Sequence, residues 1–149
     1  MNKNLVTSLK LSRELKELGV KQESEFYWSK NVPQKIDNKY HLYFQSVPDG
    51  KSSCGQLSEK EVKETCYSAF LSDELGKMLP RFLLIKKVKY WLQFEIESSQ
   101  GGWSCQYTSM TGITIKFFEE KTMVNAGGEM LAYLKENKLL NIWKRKKKK

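Results

Sequence analysis

Between Val88 and Glu97 apolar and polar positions alternate without a break. Val88, Tyr90, Leu92, Phe94 and Ile96 fall on one side, and Lys89, Trp91, Gln93, Glu95 and Glu97 on the other. A period of two marks a half-buried strand. Residues 98–102, Ser-Ser-Gln-Gly-Gly, read as a hairpin loop, after which Trp103, Cys105 and Tyr107 alternate with Ser104, Gln106 and Thr108. Past Met110-Thr111-Gly112 a third run puts Ile113, Ile115 and Phe117 on one face. Together the three runs predict an antiparallel meander with a polar outer face. Upstream, Phe26-Tyr27-Trp28 predicts a short aromatic strand. Residues 39–47 set Tyr40, Leu42 and Phe44 against His41, Tyr43 and Gln45 and predict its hairpin partner, closed by the turn chemistry of Pro48-Asp49-Gly50.

Helical spacing flanks these strands. Ser8 can cap a helix running to about Leu18, with Leu11, Leu15 and Leu18 at i, i+4 and i+7. Gly19 then suits the left-handed position after the cap, which places Val20 against Leu15. Residues 58–61, Ser-Glu-Lys-Glu, match a capping box in an otherwise polar stretch. Ser72 followed by Asp73 and Glu74 predicts the N-cap of a short helix that Pro80 stops after Leu79. Residues 122–137 predict a final helix with Met123, Gly127, Met130, Leu131 and Leu134 on its apolar face. Gly127-Gly128 inside it costs about 1 kcal/mol per glycine against alanine. Either a close approach of helix to sheet offsets that cost, or the helix kinks or starts late near Glu129. The expected fold is α+β: an antiparallel sheet of four or five strands packed against N- and C-terminal helices, with a short helix between the strand groups.

Composition changes this picture little. The 149 residues include 4 Trp, 7 Tyr and 7 Phe, enough large side chains for a real core. The expected organisation is one domain over residues 1–143 and a basic tail over 144–149. No apolar run reaches the roughly 18 to 20 residues of a membrane span. The N-terminal stretch has no continuous apolar segment and no small-residue cleavage site, so secretion is not expected. Cys54, Cys66 and Cys105 are odd in number and far apart, which predicts reduced thiols in a cytoplasmic protein.

Charge is unevenly placed. The chain carries 26 Lys plus Arg against 17 Asp plus Glu. Six of the positives are Lys144, Arg145, Lys146, Lys147, Lys148 and Lys149; removing them leaves 20 against 17, a net of +3. Such a run is expected to stay solvated and disordered. It is either an arm for nucleic acid or anionic lipid, or a solubilising terminus.

Several blocks taken in order resemble a family. Residues 15–24, Leu-Lys-Glu-Leu-Gly-Val-Lys-Gln-Glu-Ser, precede Phe26-Tyr27-Trp28. Tyr67-Ser68-Ala69-Phe70 and residues 73–80, Asp-Glu-Leu-Gly-Lys-Met-Leu-Pro, follow, and residues 130–139 read Met-Leu-Ala-Tyr-Leu-Lys-Glu-Asn-Lys-Leu. These resemble small uncharacterised proteins of phages and prophages over roughly residues 5–140. The resemblance implies a phage or mobile-element origin and a host cytoplasm, and no activity. The chain departs from the pattern at Gly127-Gly128, where the family implies Ala and a charged residue, and its lysine tail lies outside the similar region.

Catalytic and metal signatures do not assemble. His41 is the only histidine, without a Cys at short spacing, and no CxxC, HxxxH, GxxxxGK[ST] or GxGxxG occurs. Only a Cys–His pair formed in space would supply a nucleophile. Glu59, Glu61, Glu64, Asp73 and Glu74 read as solvated faces and caps. The expectation is a binding protein, not an enzyme, with no cofactor. Trp91 and Trp28, near Lys86, Lys87 and Lys89, are either core or platforms for stacked bases. Leu139, Leu140, Ile142 and Trp143 beside the tail either finish the core or rest on anionic membrane. The candidate nucleic-acid-binding residues are therefore Lys87, Lys89, Trp91 and the tail from Lys144 to Lys149. A host protein engaged through an exposed aromatic patch is the alternative partner.

Overall fold

The structure, a computed structural model, describes residues 2–30, 39–44, 64–97 and 101–140. Within the span that the sequence reads as one domain, the chain forms two compact units, Met1–Leu71 and Ser72–Lys149. The class is α+β and every strand pairing is antiparallel. The strands divide between two sheets where the sequence pattern predicts one. The aromatic strands find their second neighbour at Tyr67–Ser68, not in the meander.

In the first unit, α1 (Leu9–Glu17) sits beside a three-stranded sheet of order β2-β1-β3, with β1 Phe26–Ser29, β2 His41–Phe44 and β3 Tyr67–Ser68. The helix begins where the sequence says it should: the Ser8 Oγ accepts from the Leu11 N–H. It ends as a Schellman motif. Val20 N–H donates to Leu15 O and Gly19 N–H to Lys16 O, with Gly19 at φ 72°. Leu11, Leu15 and Val20 are buried. Trp28 is buried as well, which decides for core over platform; its indole N–H donates to Thr7 O at 2.9 Å. Thr7 ties the unit together. Its N–H donates to Phe70 O, and its Oγ1 accepts from Phe70 N–H and pairs with Ser12 Oγ at 2.8 Å. Its buried polar atoms are satisfied, as the interior requires.

In the second unit, α2 (Ser72–Met78) leads into a four-stranded sheet of order β4-β5-β6-β7. Its strands are Phe82–Ile85, Val88–Glu97, Gly102–Ser109 and Thr114–Glu120. The final helix, α3 (Met123–Glu136), packs on β6, β7 and α2. Thr122 caps it by accepting from Asn125 N–H. It is helical through Gly127-Gly128, so it does not start late near Glu129. A Cβ at Gly127 would stand 3.3 Å from the Phe94 ring, tighter than ordinary packing. The glycine is what lets the helix lie this close to β5. Met130, Leu131 and Leu134 are buried, as their spacing predicts.

Two details depart from the pattern. A register shift between Gln106 and Thr108 rotates β7, so that Phe117 opposes Gln106 and Phe118 opposes Cys105. Phe118 therefore meets Tyr133 of α3, with centroids 6.1 Å apart, while Phe117 stays exposed. Ile113, expected to share a face with Phe117, lies in the turn and is exposed too. The residues predicted as a capping box, 58–61, and Cys54 lie outside the described residues.

Candidate nucleic-acid interface

Alternation along β5 decides the site. Its Tyr90, Leu92 and Phe94 side is half-buried, and Phe94 meets α3. Trp91, Gln93 and Glu95 are on the opposite side and exposed. Cross-strand pairing extends that outer face in rows. Leu84 opposes Lys89; Phe82, Trp91, Thr108 and Thr114 form the next row; Gln93, Gln106 and Phe117 the next; Glu95, Ser104 and Glu119 the last. The face is graded along the strands, from cations and aromatics through amides to carboxylates.

At the basic end, Lys86 and Lys87 are the loop of the hairpin closed by Ile85 opposite Val88. Both lie left-handed, at φ 48° and φ 70°. A two-residue hairpin loop with both central residues at positive φ is the setting that Asn-Gly normally fills. Lysine there carries strain of about 1 to 2 kcal/mol per residue, and strained backbone of this kind clusters at functional sites. Behind the turn, Phe82 and Trp91 pack as a tilted pair with centroids 5.4 Å apart. Lys89 Nζ sits 5.3 Å from the Phe82 centroid and 5.8 Å from that of Trp91. Such cation–π contacts are worth about 0.5 to 1 kcal/mol at exposed sites, and they hold the ammonium next to the ring. Trp91 remains 41% exposed and Phe117 45%. In the amide row, Gln106 Nε2 donates to Gln93 Oε1 at 3.3 Å and to Glu95 Oε1 at 3.4 Å.

The structure thus brings Lys87, Lys89 and Trp91 to one end of one sheet. Lys144, Arg145, Lys146, Lys147, Lys148 and Lys149 lie outside the described residues. Phe82 and the left-handed backbone of the Lys86-Lys87 turn were not legible, although the sequence already set these lysines near Trp91. Phe82–Ile85 is a bare apolar run, and Lys-Lys has none of the usual turn residues. Phe117 was assigned to the wrong side because a bulge leaves no mark in an alternating pattern.

The remaining chemistry is quieter. Cys66 and Cys105 are free and buried. Burial pushes the Cys105 thiol up to about 12, so it is protonated at neutral pH and is no nucleophile. His41 lies on β2 opposite Ser29. Among the described residues no group of three or more His, Cys, Asp or Glu could hold a metal ion, and no helix is long and apolar enough to cross a membrane. Compared with protein families, curated proteins and solved structures, the chain finds no match.

Proposed function

We propose that this chain is a small, non-enzymatic binding protein of phage type, acting in the host cytoplasm, whose partner is nucleic acid. The observation that carries the reading is the exposed Trp91 ring with Lys89 against it and the strained Lys86-Lys87 turn at its end. An exposed ring offers a base a stacking surface worth about 1 to 3 kcal/mol, and flanking lysines meet the phosphates on either side. Single strands suit the face better than duplex, because only unstacked bases reach a flat ring. Lys144 to Lys149 would add sequence-independent attraction.

The test is anisotropy of a labelled single-stranded oligonucleotide across a salt series. Trp91→Ala is expected to weaken binding about 5- to 150-fold, the equivalent of one stacked base. A chain ending at Trp143 is expected to lose affinity and show a shallower salt slope. Trp91→Ala binding like the parent at every salt would overturn the reading.

A second reading rests on a different observation. Met110 is 92% exposed and Ile113 60% exposed in the β6–β7 turn. Apolar side chains held out in this way suit a protein surface, so a host protein is the alternative partner. Binding to it would be insensitive to salt and to loss of the tail.

A further inference from the structure

We infer that the outer face of the four-stranded sheet is also a self-association surface, whose occupant is a second copy of this chain related by a two-fold axis running across the strands through the amide row. The face carries opposite charge at its two ends. Lys89 lies at one end, with the turn lysines Lys86 and Lys87 beyond it, and Glu95 and Glu119 lie at the other. Lys89, Glu95 and Glu119 are all exposed. The row between them, Gln93, Gln106 and Phe117, carries no charge. A polyanion laid along this face meets attraction at the first end and repulsion at the second. A second copy turned end for end meets attraction at both.

Symmetry selects that arrangement. Two identical sheet faces stack about 10 Å apart, related by a two-fold either along the strands or across them. The first lays each row on the same row, basic on basic and acidic on acidic. The second inverts the order, so the Trp91 row falls on the Glu95 row of the second copy and the amide row falls on itself. Phe117, 45% exposed, then meets its own copy beside the axis. Lys89 Nζ lies 5.8 Å from the Trp91 centroid, drawn toward the row that Glu95 of the second copy covers. Each such contact occurs twice in a two-fold dimer. Four strands about 4.8 Å apart and the residues from Lys89 to Glu97 at about 3.4 Å each make a face of at most about 600 Å² per copy, or about 1,200 Å² in the pair. That is the low end for a specific interface, and it gives a weak, reversible dimer. Trp91 is covered in it, so self-association and nucleic acid compete for one ring. The competition rests on the nucleic-acid reading of this face; the dimer does not.

The experiment is sedimentation of the full chain over a range of concentration and salt. The parent should show a reversible monomer–dimer equilibrium that weakens as salt rises, because the charges that meet lie near solvent. Lys89→Glu alone and Glu95→Lys alone each set like charges together twice, and each should weaken self-association about tenfold or more. Mixing the two variants should restore it as a heterodimer, since each supplies the charge the other lacks. Both changes in one chain should restore it as well. Restoration also shows that the variants are folded. Glu136→Lys, at an exposed position of α3, alters net charge as Glu95→Lys does and should leave the dimer as it was. Excess single-stranded oligonucleotide should return the parent to monomer. A dimer that the charge swaps place on this face but that saturating oligonucleotide leaves intact would support the interface and refute the nucleic-acid reading. A chain that stays monomeric at millimolar concentration, single variants that associate like the parent, or a mixture no better than its components would overturn the inference.

Discussion

Replacing the β4–β5 turn by Lys86→Asn and Lys87→Gly should make the protein more stable and a worse binder at once. The stability gain follows from φ alone. Both lysines sit in the left-handed region, at about 1 to 2 kcal/mol each for a residue with a Cβ. Asparagine tolerates that region and glycine has no penalty there, although glycine returns roughly 0.5 to 1 kcal/mol through the freedom it gives the unfolded chain. Because asparagine recovers only part of its share, the net is about 1 to 2 kcal/mol. For a chain of this length that is a rise in Tm of roughly 2 to 8 °C. The binding loss follows from charge. Each phosphate contact to a single strand contributes about 0.7 to the slope of log K against log salt. Removing both lysines should flatten the slope by about 1.4. The assay is thermal unfolding alongside oligonucleotide anisotropy between 50 and 200 mM salt. The matched control, Lys86→Arg with Lys87→Arg, keeps both the charge and the strain and should resemble the parent in both measurements. A turn variant no more stable than the parent would show that the turn is relaxed. An unchanged salt slope would show that these lysines do not meet phosphate.

Two further outcomes are expected. Leu131→Ala, in the packed face of α3, should cost about 2 to 5 kcal/mol in denaturant unfolding, whereas exposed Glu136→Ala should stay within about 0.5 kcal/mol; equal effects would mean that the helix is not packed as described. Stability should also fall on the alkaline side: burial pushes the Cys105 thiol up to about 12 and the Tyr107 phenol up as well, so the unfolded chain sheds these protons first. The contribution is complete below about pH 8.5, where the unfolded thiol begins to ionise, and is lost as pH climbs toward 12; a Tm that holds constant from pH 8 to pH 11 would refute it.

What the sequence made legible has a common physical character. The α1 cap at Ser8, its end at Gly19 and Val20, the β5 alternation and the Met130, Leu131 and Leu134 face are local patterns. Each is decided by residues within one or two turns or along one strand. The same logic located Trp91 on the solvent side of β5 with Lys89. Where the deciding residue is distant in sequence, the pattern left the answer open or misplaced it. Trp28 could be core or platform from its neighbours alone, and it is Thr7, 21 residues upstream, whose carbonyl claims the indole. Nothing about Thr7 marks it as the residue that β1, α1 and Phe70 all require. Phe117 and Phe118 are adjacent and equally apolar, and only the bulge in the β6–β7 pairing chooses between them.

The strand Phe82–Ile85 shows how one missed element hides part of the geometry of a candidate site. With β4 absent, Lys86, Lys87 and Lys89 are three basic residues at the start of a strand, and Trp91 has no partner. With β4 in place, Phe82 arrives opposite Trp91 and Lys89 lies across both rings. The two lysines before it are then forced into a turn that they do not favour. A strand pairing therefore converts a mild local excess of charge into a fixed arrangement of ring and cations. In the first unit the Arg13 guanidinium comes to lie over the Tyr40 and Tyr67 rings in the same way, through residues 27 and 54 positions apart from it. In both places the aromatic ring does not lie alone. It is held beside a cation, so part of the ordering that binding would otherwise demand of those side chains is already in place.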